Sequence, residues 1–258
     1  MKFTSSEPFW LVKNGIVNSN PPSLRENLDT EILIVVGGIM GSLIVHQCME
    51  DGHKTVLMDR REIGHGSTSA KTSMLQYEID IPLHQLIDLI GEKAAVDSYW
   101  ACYKSIDDLK KIVRQVKYDC GFKKKESLYF AAVKKDVGWL KKEFEARKKI
   151  QMLVKWLEAD EIYKKFHIIH SHSGILSEQG GDIDAFQLAH DILAYNHEKG
   201  LKIFDKTDIK KVTYKQNGVS VQTENGTTIT AKKIIYCNGF ESTEIIKDKF
   251  INYFLLMQ

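Results

Sequence analysis

Six residues near the N-terminus, Val36-Gly37-Gly38-Ile39-Met40-Gly41, have the composition and spacing of a turn that cradles phosphate. Such a turn needs a sharp reversal, close approach of backbone to a diphosphate, and a helix N-terminus whose amides and dipole face negative charge. The full pattern is GxGxxG. Gly38 and Gly41 hold its second and third glycine places, and Val36 stands in the first. A β-branched residue suits that place while its φ stays negative; otherwise it shifts the turn away from the phosphates, and Gly37 absorbs part of the distortion. Asp59, followed by Arg60, lies 18 residues after Gly41. At the end of a second strand, a carboxylate there accepts hydrogen bonds from the ribose hydroxyls of adenosine. Strand, glycine turn, helix, strand and terminal acid together are far more specific than the glycines alone.

The elements that must hold these residues are legible around them. The apolar run Ile32 to Val36 predicts a strand buried on both faces, followed by a helix from about Ile39 to Asp51, ended by Gly52. Lys54 to Asp59 is a second strand, and Ile63 to Tyr77 a Ser/Thr/Gly-rich loop with room for a short helix. Residues 1–30 read as an extended lead-in, with Pro21 and Pro22 against helix and Phe9 and Trp10 packing on the body. Helical spacing runs from about Leu83 to Cys120 and from Val137 to Phe166, with a strand at Ser127 to Ala132 between them. Asp184 is an N-cap with Gln187 three residues on, opening a helix that ends near Gly200. Asn217-Gly218 and Asn225-Gly226 predict type I′ turns joining strands at about 209–215, 219–223 and 227–231, a β-meander. Lys233 to Cys237 is a further buried strand.

Composition narrows the function classes. Hydrophobic residues make up 43% of the 258 and charged residues 27%, the balance of a globular domain with a core. A net charge of +2 leaves no footprint for nucleic acid or an anionic membrane, and neither is an expected partner. The longest nearly uncharged stretch, Ile32 to Val45, is too short to span a bilayer. The N-terminus lacks the pattern of a signal peptide, and Cys48, Cys102, Cys120 and Cys237 form no CxxC pair, so a cytoplasmic protein is expected.

The run ILIVVGGIMGS…KTVLMDRREIGHGSTSAKTSMLQYEID resembles the FAD-dependent oxidoreductases of the D-amino-acid oxidase family, glycine and sarcosine oxidases included. The resemblance extends through EPFWLVKNG, SLYFAA, TDIKKV and IIYCNGFES. It implies an α/β fold: a Rossmann-like FAD-binding domain with parallel sheet and β-meander, plus an incomplete α+β substrate domain. The implied segments are a lead-in (1–30), a first FAD-binding segment (31–82), a helical substrate-domain portion (83–180), a second FAD-binding segment with the meander (181–245), and the start of a truncated substrate-domain sheet (246–258). FAD is the implied cofactor. Its loop after the second strand would use Gly66, Ser67, Thr68, Ser69, Thr72, Ser73 and Met74 to wrap the pyrophosphate and reach the flavin ring. Ile209 matches the position whose backbone meets adenine, and Cys237-Asn238-Gly239 stands where the family has Ala-Thr-Gly. The implied reaction is oxidation of a C–N bond in a small amino acid or secondary amine by hydride transfer to flavin, with an alcohol as a further substrate class. Val36 is expected to weaken FAD affinity without abolishing it. Family members continue beyond residue 258 with most of the substrate contacts, so no catalytic residue is assigned.

Two other readings stand beside this one. A non-catalytic remnant of the fold, motivated by Val36, would act as a weak binding module and hide an open sheet edge in a homo-oligomer. An NAD-dependent dehydrogenase would use the same strand–turn–helix logic. His167, His170 and His172 have no carboxylate or cysteine beside them, and no metal is expected. The lysine pairs between 123 and 149 read as a solvated face, and His65 and His84 as polar groups near the cofactor loop.

Overall fold

The computed structural model describes residues 7–15, 21–117 and 120–239. The expected end strand at 246–258 and the outer portion of the lead-in lie outside the described residues. In chain order the first elements are α1 (Phe9–Asn14), β1 (Leu28–Val35), α2 (Ile39–Glu50), β2 (Thr55–Met58), a short 3-10 turn (Ser67–Ala70) and β3 (Met74–Gln76). Then come α3 (Leu83–Ile90), α4 (Glu92–Val116), β4 (Lys123–Ala131), α5 (Val137–Lys149), β5 (Val154–Glu158), α6 (Ala159–Phe166) and β6 (Ser173–Asp182). The last are α7 (Ala185–Glu198), β7 (Lys202–Phe204), β8 (Ile209–Lys215), β9 (Gly218–Thr223) and β10 (Thr228–Tyr236). They form two compact units, one of Met1–Thr72 with Asp184–Gln258, the other of Ser73–Ile183.

The first unit is a six-stranded sheet in the order β7-β2-β1-β10-β9-β8. β7, β2, β1 and β10 run parallel, and β10, β9 and β8 form the antiparallel meander. β1 alternates its side chains between two cores. Ile32 and Ile34 pack with Val45 and Cys48 of α2, Leu57 and Leu193. Leu33 and Val35 pack with Leu24, Val56, Met58, Val219 and Ile229. A strand buried on both faces must be apolar at every position, which is why this run stands out. Leu33 and Ile34 are completely buried, and each such side chain contributes about 1.5–3 kcal/mol.

Several expectations are corrected here. The lead-in contains a helix, α1, and its Trp10 Nε1 donates to Lys71 O at 2.7 Å, whereas Phe9 stays 67% exposed. β1 starts four residues before the apolar run, because Leu28 to Thr30 pair with Ile229 to Ala231 despite their polar members. The two strands expected at 227–231 and 233–237 are one: β10 is antiparallel to β9 over Thr228–Ala231 and parallel to β1 through Tyr236. The exposed Lys232 and Lys233 in its middle read as a break. Both hairpins exist, but neither turn is type I′: only Gly218 (φ 152) and Gly226 (φ 89) have positive φ, and Asn217 and Asn225 do not. At the second, Gly226 N donates to Thr223 O and Thr223 N to Thr227 O, a type I turn closed by a glycine bulge. The Asp184 cap is present, its Oδ1 accepting from Gln187 N at 2.9 Å.

In the second unit β6 pairs with β4 on one side and with β3 and β5 on the other. The helical stretch expected from Leu83 to Cys120 is broken at Gly91 (φ 86) into α3 and α4. The stretch expected from Val137 to Phe166 contains a strand, β5, entered after Gln151 turns to φ 62. β6 is not anticipated, since its Gly174, Gly180 and Gly181 resemble a loop. A Cβ on Gly180 would sit 3.0 Å from Lys125 O, so the glycine lets β4 lie close.

A buried ion network pins α3 to α5. Glu143 and Arg147 are 0% and 1% exposed. Arg147 Nε donates to Glu143 Oε1 at 2.7 Å, and its Nη1 donates to Tyr77 Oη (3.1 Å) and Glu78 Oε1 (3.0 Å). Glu143 also accepts from Leu83 N and His84 N, both at 3.0 Å, satisfying two donors at the start of α3 that have no helical partner. Burial pushes the Glu143 carboxyl up, but Arg147 and the His84 bonds outweigh it and hold it below the usual carboxylate range. His84, expected near a cofactor loop, has its Nδ1 2.8 Å from Glu143 Oε2 inside this network.

Candidate dinucleotide-binding site

The residues between β1 and α2 form a tight turn. Val36 N donates to Met58 O at 2.8 Å, and Val36 itself has φ 83. Of the two alternatives left open for Val36, a negative φ is not the one adopted: valine occupies the left-handed backbone that glycine would take without cost. The turn nonetheless keeps its close geometry, because a Cβ on Gly41 would lie 2.0 Å from Val36 O. Val36 packs its side chain against the core on the meander face of the sheet. Strain of this kind costs about 1–3 kcal/mol. Val36→Gly removes it at the expense of some packing and chain entropy, so urea denaturation is expected to show a net gain of about 1 kcal/mol. A midpoint no higher than that of the parent would contradict this.

Asp59 follows β2 and is 4% exposed. Its Oδ2 accepts from Gly37 N at 2.8 Å and its Oδ1 from Arg61 N at 2.9 Å. The carboxylate thus braces the glycine turn from the next strand, a role that residue type alone does not reveal. Arg60, beside it, is exposed.

Helical geometry leaves the amides of Ile39, Met40 and Gly41 without carbonyl partners inside α2. Thr68, 3% exposed on the 3-10 turn, accepts from Ile39 N at 3.0 Å through Oγ1, which keeps its own hydroxyl proton for another acceptor. A Cβ on Gly38 would come within 2.9 Å of that Oγ1. Gly66 O accepts from both the amide and the hydroxyl of Ser69, which is buried, while Ser67 and Thr72 are exposed. Met40 is 62% exposed. Ser73 and Met74 fall in the second unit, Ser73 with φ 61 and a buried Oγ that has no hydrogen-bond partner.

At the same end of the sheet β10 leads into Cys237-Asn238-Gly239. Cys237 N donates to Val35 O at 2.9 Å, and burial pushes its thiol up to about 11, so it is not a nucleophile at neutral pH. Asn238 Oδ1 is buried without a partner, and Gly239 has φ 57. Ile209 opens β8, packed on the meander-side core, its amide donating to Asp208 Oδ1 at 2.8 Å.

His190 on α7 supports the loop from behind. It is 7% exposed, its ring 4.7 Å from that of Phe186, and a Cβ on Gly64 would touch both side chains. Burial, reinforced by His65, lowers its pKa to about 4, against the backbone of Ile63 and Asp184. The unfolded chain then binds this proton near pH 6.5 and the native state only near pH 4, so stability falls as pH drops through that window. The full effect is about 3 kcal/mol. Urea midpoints at pH 7 and pH 5 should differ markedly for the parent and much less for His190→Gln.

Among the described residues no group of three or more His, Cys, Asp or Glu can hold a metal, and no helix is long and apolar enough to cross a membrane. The donor set fits a diphosphate: first-turn amides, a hydroxyl with a proton to give, and glycines where side chains would intrude.

Comparisons with known proteins agree. A curated protein of Bacillus subtilis (strain 168), named as a Rieske 2Fe-2S iron-sulfur protein, is 24% identical over 237 residues, covering 91% of this chain and 44% of its own length. A Caenorhabditis elegans protein named as a sarcosine oxidase is 24% identical over 229 residues, covering 87% of this chain and 54% of its own. This chain therefore spans about half the length of the curated relatives it matches. The solved structure of L-proline dehydrogenase from P. horikoshii superposes with a TM-score of 0.71 at 19% identity, over 86% of this chain and 57% of that one. The family model described as FAD dependent oxidoreductase (DAO) matches residues 31–253, and with the strand–turn–helix geometry above this places the chain in that family.

Proposed function

We propose that this chain binds FAD within an oxidoreductase acting on the C–N bond of a small amino acid or secondary amine. The observation that carries the reading is the α2 N-terminus, where first-turn amides, Thr68 and the Gly38–Gly41 turn converge while Asp59 braces the turn from β2. When bound, FAD would supply the acceptor for a hydride from the amine carbon. The chain's own residues bind and orient. Met40 and Gly41 offer amides to phosphate oxygens, Thr68 donates its hydroxyl proton, and Asp59 accepts from a ribose hydroxyl. Ile209 lies by the adenine, Cys237-Asn238-Gly239 lets the cofactor approach the strand ends, and Gly66, Ser67, Ser69, Thr72, Ser73 and Met74 form the wrapping loop with Arg60 at its start. The amine substrate class is supported by the names of relatives, sarcosine oxidase and L-proline dehydrogenase. Cytoplasmic residence is supported by four cysteines, none of them in a disulfide.

The purified chain mixed with FAD should retain a yellow, flavin-absorbing complex after gel filtration. A colourless protein that quenches no flavin fluorescence at high FAD would end the reading. Val36 at φ 83 favours one second reading, a binding module without turnover; flavin retention with no amine reducing it would support that instead.

A further inference from the structure

Asp205 is a buried acid that the dinucleotide site does not otherwise use. It follows β7, the strand beside β2, so that it stands next to Asp59 at the carboxyl ends of parallel strands. The two ends are stitched together: Asp59 N donates to Phe204 O and Thr207 N to Asp59 O, both at 2.9 Å. Lys206 continues the stitch, its amide donating to Arg61 O and its Nζ pairing with Glu62 at 3.0 Å. Asp205 is 2% exposed, and its Oδ1 is buried with no hydrogen-bond partner. Its own carbonyl is satisfied by Thr207 Oγ1 at 2.7 Å, so the shortage is confined to the side chain.

A buried carboxyl oxygen without a donor costs free energy that a folded chain rarely leaves uncompensated. Burial pushes the Asp205 carboxyl above its usual range, with Lys206 opposing and Glu62 and Asp59 adding to it. The neighbouring cation cannot serve, because Lys206 Nζ is directed to Glu62. Asp59, for its part, holds two backbone amides with its two oxygens. Asp205 therefore supplies an acceptor at the place where sheets of this kind meet the sugar of a dinucleotide.

We infer that Asp205 is a second ribose ligand, accepting a hydrogen bond from a hydroxyl of the adenosine sugar beside Asp59. This rests on the dinucleotide reading above. It also assigns a reason for the orphaned oxygen: the ligand brings the missing donor. A structural acid would be partnered in the free chain.

The test uses ADP, 2′-deoxy-ADP and 3′-deoxy-ADP as probes, titrated by calorimetry into the whole chain and into Asp205→Ala and Asp205→Asn. The parent should bind one deoxy analogue about tenfold more weakly than ADP. Asp205→Ala should bind ADP about tenfold more weakly than the parent does and no longer distinguish it from that analogue. Asp205→Asn, which keeps one acceptor, should lose less. The ligand-free melting temperature of Asp205→Ala should equal or exceed that of the parent, because an unsatisfied group has gone. Equal affinity of the parent for all three probes, or an unchanged ADP affinity in Asp205→Ala, overturns the inference while leaving the dinucleotide site standing. Failure of the parent to bind either ADP or FAD overturns both.

Discussion

Glu143→Leu is expected to lower the stability of the second unit by about 3–5 kcal/mol, the largest effect of any single substitution proposed. The reason is an uncompensated charge. Arg147 is 1% exposed, and its Nε loses the carboxylate at 2.7 Å that offsets the cost of taking a guanidinium out of water. The amides of Leu83 and His84 lose their acceptor at the same time. Urea denaturation followed by tryptophan fluorescence would report the change, since Trp139 lies 5.4 Å from the His84 ring. The paired variant Glu143→Leu/Arg147→Met separates this account from simple packing damage. Removing both charges should recover much of the loss, because a buried pair is often no better than a well-packed apolar substitute. If the double variant is as unstable as the sum of the singles, the ion pair is not the source.

Gly41→Ala is expected to abolish flavin retention, raising the Kd for FAD at least about a hundredfold. A methyl group there would sit 2.0 Å from the Val36 carbonyl oxygen, a backbone atom that cannot rotate aside. Relief requires α2 to move away from β1 or the 36–41 turn to open, and either motion displaces the amides of Ile39 and Met40 and the Thr68 contact. The stability cost from overpacking is about 1–3 kcal/mol, so the chain stays folded while the phosphate cradle is lost. Fluorescence quenching of FAD, read beside circular dichroism, distinguishes the two effects. A folded Gly41→Ala that binds FAD like the parent would mean that the diphosphate does not rest on this helix.

The regions of the fold that can be read from sequence are those with a strong physical period or a rigid requirement. The run Ile32–Val35 must be apolar throughout because both its faces are covered. Gly41 must be glycine because the helix starts against the carbonyl of Val36, just past the strand. The meander is visible because asparagine–glycine pairs mark hairpins, although the turns are of another type. Harder to see are elements whose residues obey a local constraint that mimics another element. β6 carries glycines for close strand approach and resembles a loop. β10 carries Lys232 and Lys233 in its middle and resembles two strands. At the site, the acid after β2 is legible but its hold on Gly37 N is not, since nothing in residue type reveals where a carboxylate points. Asp205 has no signal at all: only burial without a partner distinguishes it.

β10 also sets the order of events when the polypeptide is made. The innermost parallel pair of the first sheet joins β1 to a strand from the far end of the described residues, and Thr228 N reaches Asn27 across 201 positions of sequence. Until the ribosome has delivered β10, β1 has an open flank and only β2 beside it. The intervening Ser73–Ile183 unit has its own core, and among the described residues each of its strands pairs within the unit, so this part can close while the first sheet waits. Contacts this distant are slow to form, which makes the nascent β1–β2 region a natural client for chaperones and a target for proteases.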